Sequence, residues 1–307
     1  MKKITIVGAG RVGESTAQIL ANEELAHHVV LTDIREGVAA GTALDIQESA
    51  ILFGFDTEVT GDDSASAMAD SDMVIITAGL PRKPGMSRSD VLEANYNVIR
   101  GVAADVVQYA PNAMVILVTN PVDIMTYAFM KETGWSRNRV FGLSGVLDAA
   151  RMASFIAMET GFSIKDISAM VLGGHGDSMV PMVRYTTVNG ISIDNFMDAD
   201  RIARIVDRTR NGGAEILALK KTSSANDSPA AAVAAMVDAV CNNRKRLMPC
   251  VAIVAGEYGY QDLAIGVPVV LGAEGMEKVI ELKLTDEERQ LLDDSAMQVK
   301  RDLESLS

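Results

Sequence analysis

The run Gly8-Ala9-Gly10-Arg11-Val12-Gly13 narrows the fold of this chain more than any other segment. It follows a short β-branched run, Ile4-Thr5-Ile6-Val7, and leads into a helix-like stretch, Glu14–Asn22. That is the setting in which a GxGxxG spacing binds a dinucleotide. Gly8 permits the tight turn, Gly10 lets the backbone approach a pyrophosphate, and Gly13 lets helix pack on strand. The helix N-terminus offers unpaired N–H groups and partial positive charge to an anion. Asp33 lies 20 residues beyond Gly13, at the end of the next apolar run, Val29–Thr32. A carboxylate there holds the adenosine ribose hydroxyls and repels a 2′-phosphate, so NAD is favoured over NADP. Arg35, two residues on, is the nearest cation that could argue otherwise.

Two more β-branched runs, Val74–Thr77 and Val115–Val118, alternate with helical stretches. Continuous apolar runs spaced by helices read as parallel strands covered on both faces. Past residue 145 helices dominate, over about 146–160, 198–220, 229–243 and from Thr285 onward, with shorter strands near 168–172 and 267–271. Thr285-Asp286-Glu287-Glu288 has the spacing of a capping box. The fold class is therefore α/β: a Rossmann-type, doubly wound parallel sheet over 1–144, followed by an α+β substrate domain over 145–307. A length of 307 residues fits two such domains.

The charge balance excludes several partners. Lys and Arg number 28 against 41 Asp and Glu, a net charge of −13. Nucleic acid and anionic membrane both need a basic surface. No apolar run is long enough for a membrane span, and the first residues lack a signal-peptide core, so a cytoplasmic location is expected. Cys241 and Cys250 form no CxxC pair and no Cys/His cluster has zinc spacing, so no metal is expected.

Against this acidity one segment stands out. Residues 79–90, GLPRKPGMSRSD, follow the third strand run and carry Arg82, Lys83 and Arg88 before the first acid, Asp90. The carboxyl edge of such a sheet is where ligands bind, and a loop there could close over an anion.

Of three histidines, His27 and His28 are adjacent and read as a polar strand entrance. His175 sits in Gly173-Gly174-His175-Gly176-Asp177-Ser178, a permissive loop able to present an imidazole to a cleft. A carboxylate partner would fix its tautomer and stabilise the imidazolium. Asp148 and Arg151 share a helix face at the start of the second domain, with a surface ion pair as the plainer reading of that spacing.

These segments resemble the lactate/malate dehydrogenase family, and among its branches the lactate-dehydrogenase-like malate dehydrogenases of bacteria. The motifs run in family order: GAGRVG at 8–13, TD at 32–33, TAGLPRKPGMSR at 77–88, VTNPVD at 118–123, GVLDAAR at 145–151 and GGHGDSMVP at 173–181. The resemblance implies NAD-dependent hydride transfer between (S)-malate and oxaloacetate, a step of the tricarboxylic acid cycle. In it His175 would be the acid/base, Asp148 would orient it, and Arg151 would clamp the C1 carboxylate. Arg88 would polarise the C2 oxygen and Asn120 would hydrogen-bond it. Gly8, Ala9, Gly10, Arg11, Val12, Gly13, Asp33, Asn95, Val118, Thr119 and Asn120 would line the cofactor. Arg82 occupies the family's discriminating position, neutral in lactate enzymes and cationic in malate enzymes. A homotetramer, or else a homodimer, is implied as well.

The chain departs from the family pattern around 222–229. Ser223 replaces a glycine, and Asn226-Asp227 stand where aromatics are usual. Two other readings stay open: a dehydrogenase for lactate or another 2-hydroxy acid, which Arg82 opposes, and a non-catalytic NAD sensor, which would lack one of His175, Asp148, Arg88 or Arg151.

Overall fold

In the first half of the chain strands and helices alternate: β1 (Lys3–Val7), α1 (Arg11–Asn22), β2 (His28–Thr32), α2 (Val38–Glu48), the single turn α3 (Ala50–Phe53), β3 (Glu58–Asp62), β4 (Met73–Ile76), α4 (Arg88–Tyr109), β5 (Met114–Leu117), α5 (Val122–Thr133) and β6 (Val140–Gly142). The computed structural model describes residues 1–80 and 88–306, residues 88 and 89 by main chain alone. The six strands pair in parallel in the order β3-β2-β1-β4-β5-β6. Their apolar runs are buried on both faces, as in Met73–Ile76, where all four residues are buried. Strand order reverses between β1 and β4, which opens a crevice at their carboxyl ends.

The second half opens with α6 (Gly145–Thr160) directly after Ser144. The short strands β7 (Ile167–Ser168), β8 (Val171–Leu172), β9 (Val180–Pro181), β10 (Thr187–Val188) and β11 (Ile191–Ser192) follow. After them come α7 (Ala199–Lys220), α8 (Asp227–Cys241), β12 (Arg246–Ala255), β13 (Gln261–Gly272), β14 (Gly275–Val279) and α9 (Asp286–Glu304). The capping box of α9 is present: Thr285 Oγ1 accepts the Glu288 N–H at 3.2 Å, and Glu288 Oε2 accepts the Thr285 N–H at 2.8 Å. A cap of this kind stabilises a helix by about 1 kcal/mol.

Two features differ from the sequence expectation. The strand expected over 168–172 is two pieces, β7 and β8, in different sheets. The one expected over 267–271 is the middle of a twelve-residue strand, β13, whose partner β12 the sequence reading missed. β12 also pairs antiparallel with β6 through Val251 and Gly142, so β12–β14 extend the parallel sheet to nine strands among the described residues. One apolar core runs through this sheet and the helices packed on it, from β1 to α9. A smaller one lies between α6, α7 and the short strands. Among the described residues, no helix is long and apolar enough to cross a membrane.

Candidate active site

The glycine turn lies at the carboxyl end of β1. Gly8 has φ +107°, and a Cβ there would meet the Ala78 nitrogen at 2.7 Å. A Cβ on Gly13 would collide with the Gly8 carbonyl, so the helix start can lie this close to the strand only with glycine at both positions. Gly10 is different: no atom lies within 4 Å of where its Cβ would stand. Gly10 is also the N-cap of α1 and supplies no side-chain cap. The first turn, Arg11-Val12-Gly13, thus presents its N–H groups to open space, which suits a pyrophosphate.

Asp33 follows β2 and faces that turn. Its Oδ2 accepts the Ala9 N–H at 2.9 Å, and Arg35 donates to both oxygens, Nε to Oδ1 at 2.8 Å and Nη2 to Oδ2 at 2.9 Å. The Arg35 hydrogen bonds outweigh burial and hold the Asp33 carboxyl down at about 2. Arg35 is thus committed to Asp33.

The neighbouring strand ends are tied together by two polar side chains. Thr119 Oγ1 donates to the Ala78 carbonyl at 2.6 Å. Asn95 of α4 is buried; its Oδ1 accepts the Leu80 N–H at 2.7 Å and its Nδ2 donates to the Asn120 carbonyl at 2.8 Å. Both ends of the Asn95 amide are used in bracing these segments. Val118 is half-buried, and Asn120 is exposed at the carboxyl edge of β5. The chain then turns through Pro121 into α5. Arg82 lies outside the described residues. So does the Arg88 side chain, although its main chain opens α4.

Across the crevice, α6 brings Asp148 and Arg151 together and the β8–β9 loop brings His175 to them. His175 Nδ1 donates to Asp148 Oδ2 at 2.8 Å. Arg151 Nη1 donates to Asp148 Oδ1 at 3.0 Å. Asp148 is fully buried and serves the imidazole with one oxygen and the guanidinium with the other. The plainer reading of the Asp148–Arg151 spacing, a surface ion pair, therefore fails. Burial acts against a charged imidazole, but Asp148 and then Asp123 outweigh it, and the His175 pKa is raised above its ordinary value. With Nδ1 fixed on Asp148, Nε2 is the atom left to exchange a proton with a ligand. Arg151 Nε is buried and has no hydrogen-bond partner among the described residues.

Three supports escaped the sequence reading. Gly212 lies inside α7, and a Cβ there would meet Arg151 Cδ at 3.1 Å. Glycine in a helix interior costs about 1 kcal/mol, and here it makes room for the arginine stem. Ser295 of α9 accepts the Gly174 N–H at 2.8 Å, and Asp123 of α5 accepts the His175 N–H at 2.9 Å. The only sequence signal for these is glycine pairing at 212–213 and an acid in the first turn of α5. The departure at 223–227 has a structural counterpart: Arg11 reaches Ser223 Oγ at 3.4 Å and Asn226 Nδ2 donates to Ser15 Oγ at 3.1 Å. The replaced residues thus form a polar seam between α1 and the loop before α8.

Comparison with known proteins matches both halves. Residues 2–142 fit the lactate/malate dehydrogenase NAD-binding domain and residues 145–307 the α/β C-terminal domain of the same family. A protein of Thioalkalivibrio sulfidiphilus named malate dehydrogenase is 58% identical over 306 residues, covering all of both chains. The malate dehydrogenase structure from Salinibacter ruber is 45% identical with TM-score 0.95, over 99% of this chain and 97% of that one. A lactate dehydrogenase from Cryptosporidium parvum, with lactic acid and nicotinamide adenine dinucleotide bound, superposes equally well, TM-score 0.96 at 39% identity over 99% and 98% of the two chains. The backbone is thus common to enzymes of both substrates, and by matches that span it from end to end this chain belongs to the lactate/malate dehydrogenase family.

Proposed function

We propose that this chain catalyses the NAD-dependent interconversion of malate and oxaloacetate, with residues 1–144 as cofactor domain and 145–307 as substrate domain. The observation that carries the reading is the relay Arg151–Asp148–His175, which places a carboxylate clamp and an acid/base on the two oxygens of one buried carboxylate. It faces an NAD-binding domain of this family.

Each residue has a task that follows from its chemistry. Arg151 would take the C1 carboxylate of the substrate with the guanidinium N–H groups that Asp148 does not hold. His175 Nε2 receives the C2 hydroxyl proton in malate oxidation and returns it in oxaloacetate reduction. Asp148 stabilises the imidazolium without itself being protonated. Asn120, and Arg88 from the start of α4, would hydrogen-bond and polarise the C2 oxygen. Arg82 would pair with the C4 carboxylate. The turn Gly8–Gly13 would hold the pyrophosphate and Asp33 the adenosine ribose, with Val118 to Asn120 beside the nicotinamide. Bound NAD supplies the hydride acceptor, and in the reverse direction the donor.

The test is NADH oxidation by the purified protein with oxaloacetate and with pyruvate at equal concentration. Strong preference for oxaloacetate is expected; preference for pyruvate would replace this reading with a lactate enzyme on the same fold. Activity with neither would leave an NAD sensor.

Asp33 yields a second expectation. Its four acceptor sites are filled by Ala9 and Arg35, so the ribose takes over those that Arg35 holds. In Asp33→Ser the guanidinium loses its carboxylate and can meet a 2′-phosphate. The kcat/KM ratio of NADPH to NADH should rise by about tenfold or more, the worth of one charge-assisted hydrogen bond. An unchanged ratio would remove Asp33 from cofactor selection.

A cytoplasmic homotetramer is part of the same reading. Supporting association, Leu44, Ile51, Leu52 and Phe53 on α2 and α3 are 60% or more exposed.

A further inference from the structure

The relay leaves one buried acid unexplained. Asp123 is only 4% exposed, in the first turn of α5. Its Oδ2 carries the His175 N–H at 2.9 Å. Its Oδ1 is buried and has no hydrogen-bond partner among the described residues. A carboxylate used only to hold a main-chain N–H could be replaced by an amide or hydroxyl without loss, and would not keep an oxygen buried and unsatisfied. A charge that acts on a neighbouring charge would keep it.

We propose that Asp123 is a positioning residue for the proton transfer: one oxygen carries the main chain of His175, and its negative charge holds the imidazole in the protonated form beside Asp148. The proposal rests on His175 being the acid/base. Two carboxylates then flank one imidazole, Asp148 at the ring and Asp123 at the backbone. Opposite charge at this range favours the charged form.

Among the described residues, Asp177 of the same loop is exposed to solvent, and the packed elements contribute few other charges. His175 comes from the β8–β9 loop, and Asp148 and Arg151 come from α6. Toward the same loop α9 presents neutral Ser295 and β13 presents Gly266. The acids beside Ser295, Asp293 and Asp294, hydrogen-bond to Arg289 and Gln290 instead. β6 and β12 bring Gly142 and Val251 against the first turns of α5, and α4 brings Asn95 to the Asn120 carbonyl. Burial pushes the Asp123 carboxyl up to about 6, which Asp148 reinforces and His175 opposes. Above that value Asp123 carries the negative charge that favours the protonated imidazole, whose own pKa is raised.

The experiment is an NMR titration of the imidazoles in the cofactor-free protein, where only three histidines contribute. Asp123→Asn keeps an acceptor for the His175 N–H and removes the charge. Its His175 midpoint should fall by about one pH unit, a tenfold loss of proton affinity, while those of His27 and His28 stay in place. The alkaline limb of kcat/KM for oxaloacetate should move down by the same amount. Ser295→Ala cuts the other tether of the loop and leaves the charges, so its His175 midpoint should stay at the wild-type value. A His175 midpoint unmoved in Asp123→Asn, or moved as far in Ser295→Ala, overturns the proposal. Should Asp123→Asn not fold, the wild type decides: His175 should titrate in two steps, coupled to a group near 6, and a single step at or below about 6.5 overturns the proposal. Absence of turnover with any 2-oxo acid would instead sink the catalytic reading, on which the titration does not depend.

Discussion

Replacing His175 by asparagine is expected to lower kcat/KM with oxaloacetate by about 10²- to 10⁴-fold while leaving the NADH dissociation constant within about twofold of wild type. The asymmetry follows from placement. The imidazole belongs to the relay of α6 and the β8–β9 loop, whereas the glycine turn and Asp33 are built from β1, α1 and β2. Asparagine is chosen because its amide can still donate to Asp148. The buried carboxylate is then not orphaned, and lost turnover is not confused with lost folding. No second imidazole can substitute, because His27 and His28 stand at the amino end of β2, opposite the strand ends that line the crevice. In the wild type, oxaloacetate reduction needs the protonated ring, so kcat/KM should fall as pH rises through a midpoint above 6.5. Malate oxidation needs the neutral ring and should rise through the same region. Steady-state kinetics in both directions and a fluorescence titration with NADH provide the check. Turnover within tenfold of wild type would mean that another group moves the proton.

What could be read from the sequence divides along a physical line. β1, β2, β4 and β5 are buried on both faces, so their apolar runs are continuous and visible without a partner. The glycine turn was visible because its constraint is local: Gly8 and Gly13 touch each other across one turn. Asp148 could be singled out among 41 acids because Arg151 lies three residues away on the same helix. The parts that were not legible are held by contacts distant in sequence. β12 contains Pro249 and β13 contains Pro268, and each reads alone as a strand breaker. In the fold they face each other across the pair. Ser295 meets Gly174 from 121 residues away, and Asp123 meets His175 from 52. No periodicity or spacing announces such contacts. The permissive His175 loop was visible, but what restrains it was not.

Substrate choice follows the same logic of charge matching. Arg82→Gln is expected to invert the preference between oxaloacetate and pyruvate. Arg82 lies outside the described residues, and the expectation rests on its place in the family's loop and on the cost of unpaired charge. Oxaloacetate differs from pyruvate by one carboxylate. Inside a site closed to water, truncating one partner of a charge pair costs about 2–5 kcal/mol. At about 1.4 kcal/mol per tenfold, kcat/KM for oxaloacetate should fall roughly 30-fold to several thousand-fold. Pyruvate has no second carboxylate and leaves the Arg82 charge unpaired in the wild type, so its kcat/KM should rise in the variant. The C1 carboxylate is common to both substrates and on the proposed reading would be met by Arg151, so the variant should keep a working clamp and a working His175–Asp148 pair. A loss on both substrates in equal proportion would show that Arg82 acts on the loop as a whole. Unchanged rates on both substrates would place the discrimination elsewhere, with the polar seam of Ser223 and Asn226 beside α1 as the next residues to vary.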